Sequence, residues 1–149
     1  MLTEKDYCDY ETCVALKELG YNRGAYAYYF PNHKEDLIFN THPMRGCSIN
    51  EMVRGYNTYS KDTVGHELID APTMWEAQKW LREEKGIFVY IDVPWKTDDG
   101  LGWSHFCCNK PMTEEDKEVC FASGGFYDSY EEALSEGIKE AVKLLQEEK

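Results

Sequence analysis

Between Ala71 and Val93 the apolar positions change period, from helical steps to strict alternation. In APTMWEAQKWLREEKGI, Met74, Ala77, Trp80, Leu81 and the stem of Glu84 recur every three or four residues and form one stripe. Thr73 and Glu76 have the spacing of a capping box, in which each side chain satisfies a backbone N–H at the helix start. Gly86 supplies the left-handed position that ends a helix. From Ile87 the period is two: Ile87, Val89, Ile91 and Val93 share one face, and Phe88, Tyr90 and Asp92 the other. The pattern predicts a helix and the strand that follows it packing together.

The rest of the chain extends this pair. Thr3 to Leu19 reads as a helix capped by Thr3 with Asp6, stapled by Leu2 on Tyr7 and stopped by Gly20, with a start near Asp9 as the alternative. AYAYYF reads as a strand, PNHKED as a polar turn and LIFN as the returning strand. Residues 41–70 are least regular. Ser48 with Glu51, and Ile49, Met52, Val53 and Tyr56, fit a short helix, the alternative being a long loop. Beyond Val93, Pro94 and Asp99-Gly100 mark a hairpin turn. GWSHFCC then alternates Trp103, His105 and Cys107 against Ser104, Phe106 and Cys108, and NKPMTEEDK links it to a third strand, EVCFAS. The last helix has a Ser129–Glu132 box and the stripe Ala133, Leu134, Gly137, Ile138, Ala141, Val142 and Leu145. Gly137 in mid-stripe predicts a close approach of this helix to the sheet or to the central helix.

The order predicts an α+β fold: an antiparallel sheet of about five strands, with the central and C-terminal helices side by side on one face. Trp80, Leu81, Ile87, Val89, Ile91, Leu134, Ile138 and Val142 are its expected core. The 149 residues fit a single domain, 1–149.

Charge narrows the partners. The formal net charge is −12, and residues 73–149 carry 17 acidic against 9 basic side chains. With no Lys/Arg cluster, direct nucleic-acid binding and attachment to anionic membranes are both disfavoured. A basic protein surface remains compatible. The start MLTEKDYCDYE lacks the features of a secretory signal, and no apolar run approaches a membrane span. The expectation is a cytoplasmic protein whose six cysteines, Cys8, Cys13, Cys47, Cys107, Cys108 and Cys120, are free thiols.

YETCVALKELGY, APTMWEAQKWLREEKGI and YDSYEEALSEGIKEAVKLL resemble, in the same order, the blocks of a family of small uncharacterised proteins from phages and mobile elements of gut Bacteroidetes. The arrangement is also similar to phage helix–sheet–helix sandwich domains. The resemblance implies the fold class and a bacterial host cell. It carries no catalytic motif, because the matching positions are caps, turns and core.

Candidate chemistry is sparse. His105, Cys107 and Cys108 with Cys120 come nearest to a zinc site, but Cys107 and Cys108 point to opposite faces and no C-x-x-C is present. No cysteine has a convincing helix-start context to activate it as a nucleophile beside His33, His42, His66 or His105. Asp92, beside Tyr90, is uninformative at a strand end, and Gly124-Gly125 faces acidic residues that repel a phosphate. No catalytic residue, cofactor or metal is assigned, which points away from an enzyme. The candidate surface is aromatic: Phe88, Tyr90, Trp95 and Trp103 with His105, on whichever sheet face the helices leave uncovered. The expected function is a non-catalytic binding or accessory protein with a protein partner. The alternatives are a small-molecule enzyme with a pocket around Tyr90, Trp103 and His105, and an acidic mimic of nucleic acid.

Overall fold

The computed structural model describes residues 2–31, 33–39, 68–97, 100–108 and 122–147, with the backbone alone for 93–97, 100, 101 and 122–125. These residues have an α+β fold. They group into two units, Met1–Thr73 and Met74–Lys149, each with a three-stranded antiparallel sheet. Thus six described strands are shared between two sheets, where the sequence predicts about five in one. The possible helix at residues 48–56 lies outside the described residues, as do Cys47, Cys120, His42 and His66.

In the first unit, the helix α1 runs from Tyr10 to Glu18, so the later of the two predicted starts is the one adopted. The cause is tertiary. Tyr7 bridges Thr73 in antiparallel fashion, and the Cys8 N–H donates to the Pro72 carbonyl at 3.0 Å, which holds residues 7 and 8 extended. Asp9 then caps α1, its carboxylate accepting from the Thr12 N–H at 2.9 Å. Thr3 and Asp6 still meet, closing a single turn at Glu4–Asp6 with the Thr3 N–H on the Asp6 carboxylate at 2.7 Å. Leu2 stays exposed, while Tyr7 packs edge-on against Phe39. Gly20, at φ +102°, ends α1.

The first sheet has the order β2-β1-β3, with β1 at Ala27–Phe30, β2 at His33–Phe39 and β3 at Ile69–Asp70. The polar stretch His33–Asp36, predicted as a turn, is strand. It is tolerated because β2 is an edge strand whose polar residues are solvent-exposed. Leu16, Cys13, Leu19, Ala27, Tyr29 and Ile69 form the core of this unit. Among them the Cys8 carbonyl accepts two hydrogen bonds, from the Tyr29 hydroxyl at 3.2 Å and from Cys13 Sγ at 3.4 Å.

The second unit begins with α2, Met74–Lys85, and continues through β4 (Phe88–Thr97), β5 (Gly100–Cys108), β6 (Ala122–Tyr127) and α3 (Tyr130–Glu147). The three strands form an antiparallel meander in sequence order. α3 lies across all three, and α2 packs beside it and against β4. At the start of α3 the Glu132 N–H donates to Ser129 Oγ at 3.1 Å. The reciprocal bond of the predicted box goes one residue earlier, from the Asp128 N–H to the Glu132 carboxylate at 3.3 Å.

Trp80, Leu81, Ile87, Val89, Leu134, Ile138 and Val142 are buried as the pattern predicts. Ile91 is only partly covered; among the described residues β4 is an outer strand of its sheet, with a neighbouring strand on one side. The Gln78 side chain of α2 donates to the Val89 carbonyl at 2.9 Å. Gly137 permits the close approach predicted for it. A Cβ built there would stand 2.7 Å from Val89 Cγ1 and 3.1 Å from His105 Cβ.

Candidate functional site

Pleating divides the second sheet into two chemically different faces. The face under α3 is fixed by contacts. Val89 and His105 lie against Gly137, Cys107 Sγ donates to the Gly137 carbonyl at 3.3 Å, and the Trp103 ring meets Tyr130 edge-on at 5.6 Å. Alternation sends Phe88, Tyr90 and Phe106 to the opposite face. There Phe88 and Tyr90 stack, with ring centroids 6.1 Å apart and planes 11° from parallel. Tyr90 pairs directly across the ladder with Phe106, and Phe88 with Cys108.

Phe126 completes the outer face from β6. Its side chain is 66% exposed and its ring lies on Gly102, where a Cβ would stand 2.6 Å from Phe126 Cδ1. Glycine is required at 102 because the aromatic ring occupies the space a side chain would fill. Phe88, Tyr90 and Phe106 are half-buried, while Ser104 and Cys108, which share their face, are buried.

The five residues singled out in the sequence therefore do not form one surface. Phe88 and Tyr90 stand on the outer face, but Trp103 and His105 face α3, and His105 is only 3% exposed. Trp95 is paired with Gly102 in the backbone register, and its side chain lies outside what is described. Tyr90 likewise does not converge with Trp103 and His105 on one pocket. Phe106 and Phe126 take their place. Phe106 was available from the alternation of GWSHFCC, which sets it apart from His105. Phe126 was hidden because EVCFAS suggests a strand that stops before Gly124-Gly125, whereas β6 runs through both glycines to Tyr127.

Beneath α3, His105 stacks on Tyr127 with centroids 5.6 Å apart, and its Nε2 lies 3.4 Å from the Tyr127 hydroxyl. Nδ1 is buried with no hydrogen-bond partner among the described residues. Burial lowers the imidazole's pKa, against the opposing pull of Glu140 and Glu136. Burial also raises the Tyr127 pKa, reinforced by Glu136, Glu132 and Glu140.

The thiols are set for packing. Cys8, Cys13, Cys107 and Cys108 are buried. With α1 beginning at Tyr10, Cys13 is its fourth residue, and its N–H already donates to the Asp9 carbonyl at 2.9 Å. Burial pushes the pKa of the Cys13 thiol well above the ordinary thiol range, with Cys8, Asp9 and Asp70 adding to the shift, so little thiolate forms. Among the described residues no three His, Cys, Asp or Glu side chains are grouped to hold a metal ion, and no helix is long and apolar enough to cross a membrane.

No family model, curated protein or solved structure matches the chain.

Proposed function

We propose that the protein is a non-catalytic binding or accessory protein, of phage or mobile-element origin and acting in the cytoplasm of a bacterial host, that engages a protein partner through the outer face of β4–β6. The observation that carries this reading is that Phe88, Tyr90, Phe106 and Phe126 all stand on the face opposite α3, with Phe126 mostly in solvent. Aromatic side chains supply much of the binding energy at protein interfaces, where they bury large areas at low cost in conformational entropy. The net charge of −12 favours a partner with a basic rim, whose approach it would accelerate.

The test is affinity capture from bacterial host lysate at low and high salt, with the wild type run beside Tyr90→Ser and Phe126→Ser. The expected result is one protein retained by the wild type at both salt concentrations and lost with Phe126→Ser. Capture of DNA-binding proteins that is abolished by salt and indifferent to both substitutions would instead identify a nucleic-acid mimic. Absence of any retained partner would reject the reading.

A further inference from the structure

We propose that His105 is a proton-sensitive latch beneath α3: uptake of a second ring proton loosens α3 from the β4–β6 sheet. The geometry leaves that proton nowhere to go. The imidazole is 3% exposed, Gly137 of α3 sits directly on its Cβ and Cγ, and Tyr127 of β6 stacks against it. Among the described residues, the Tyr127 hydroxyl lies 3.4 Å from Nε2 and Nδ1 has no hydrogen-bond partner. A neutral imidazole needs only one donor. An imidazolium has two, so Nδ1–H would be a buried charged donor facing no acceptor.

The surrounding groups do not remove this cost. From α3, Glu136 and Glu140 favour the charged ring electrostatically, but Glu136 is itself ion-paired with Lys139 at 3.3 Å. From β6 there is Tyr127, a phenol held in its protonated form. From β4, Val89 and Ile91 bring no charge, and on β5 itself Cys107 is committed to the Gly137 carbonyl. Desolvation outweighs the two carboxylates, so the folded protein holds His105 neutral below the ordinary histidine range.

The sign follows from linkage. A histidine whose pKa is lowered by folding binds more protons when its site is open. The closed arrangement is therefore fully stable above about pH 6.5, the ordinary histidine value, and loses stability as pH falls from there toward the folded-state pKa. One pH unit below the ordinary value, the open population gains at most about tenfold. What opens is the stripe Leu134, Ile138 and Val142, now buried.

Hydrogen exchange of the full chain at about pH 7.5 and about pH 5.5, corrected for intrinsic exchange, tests the latch. The expected result is that protection of α3 amides falls on acidification by several-fold, up to about tenfold, beyond any change in α1, and that His105→Asn removes this excess. A ring-resolved NMR titration of the wild type should place His105 below the free imidazole value. Parallel changes in α1 and α3, an excess that survives in His105→Asn, or a His105 titrating at or above the free value would each overturn the proposal. Should His105→Asn not fold, the wild-type exchange and titration decide it.

Discussion

A Cβ placed on Gly137 would stand 2.7 Å from Cγ1 of Val89, closer than two carbon atoms can rest. The helix and the strand touch backbone to side chain at this point. Gly137→Ala would ordinarily gain about 1 kcal/mol of helix propensity. Here the overpacking cost, about 1–3 kcal/mol, should exceed that gain, because β-branched Val89 is stiff and the next neighbour, His105 Cβ, is close to the backbone. The expected outcome in urea unfolding is net destabilisation, smaller in a Val89→Ala background. A stabilised Gly137→Ala, or an equal cost in both backgrounds, would contradict the contact.

The bond from Gln78 satisfies the backbone carbonyl of Val89 on β4, which among the described residues is an outer strand of its sheet. Gln78→Ala should cost about 0.5–1.5 kcal/mol. Gln78→Glu should cost at least as much, since a carboxylate cannot donate to a carbonyl. Chemical denaturation of the two variants checks this, and a Glu variant as stable as the wild type would show the bond to be dispensable.

Local signals made the second unit legible and left the first half-read. Met74–Lys85 and Tyr130–Glu147 emerge where their caps and apolar stripes place them, because amphipathic period and core burial agree along their lengths. The start of α1 is displaced by pairing with Thr73 and Pro72, residues more than sixty positions away. β2 accepts His33–Asp36 because an edge strand has no core-facing requirement there. The aromatic candidates mixed two faces, although the period-two reading already separated Tyr90 from Ile91 and Phe106 from His105. Only Phe126 needed the fold, since nothing local announces a strand through two consecutive glycines.

Leu134 is completely buried on α3, whereas Trp75 on α2 is substantially exposed. Leu134→Ala should cost about 2–5 kcal/mol, and Trp75→Ala should stay within about 0.5 kcal/mol. Urea midpoints measured side by side give both numbers. A Leu134→Ala loss below about 0.5 kcal/mol would place that helix outside the core.

Alkali should act on the first unit. Burial raises the pKa of Cys13 and Tyr29, and each adds to the shift through its acidic and thiol neighbours. Groups held protonated by folding give stability that is complete below their ordinary range and is lost as pH rises above it. The urea midpoint should therefore drop between about pH 8 and about pH 10, and Cys13→Ala should reduce that drop. Equal drops in wild type and variant would count against a buried, protonated thiol.

Gly102 carries no side chain to offer a partner, yet it governs the ring that has most to offer. By leaving room for Phe126 to lie down on β5, it restricts the rotamers of a side chain that would otherwise sweep freely through solvent. A ring already ordered gives up less motional freedom when a partner closes over it, so part of the entropic penalty of association is met during folding. On the binding role proposed above, a side chain at this glycine would displace the ring and so shorten the lifetime of a complex, although position 102 itself lies beneath the contact surface.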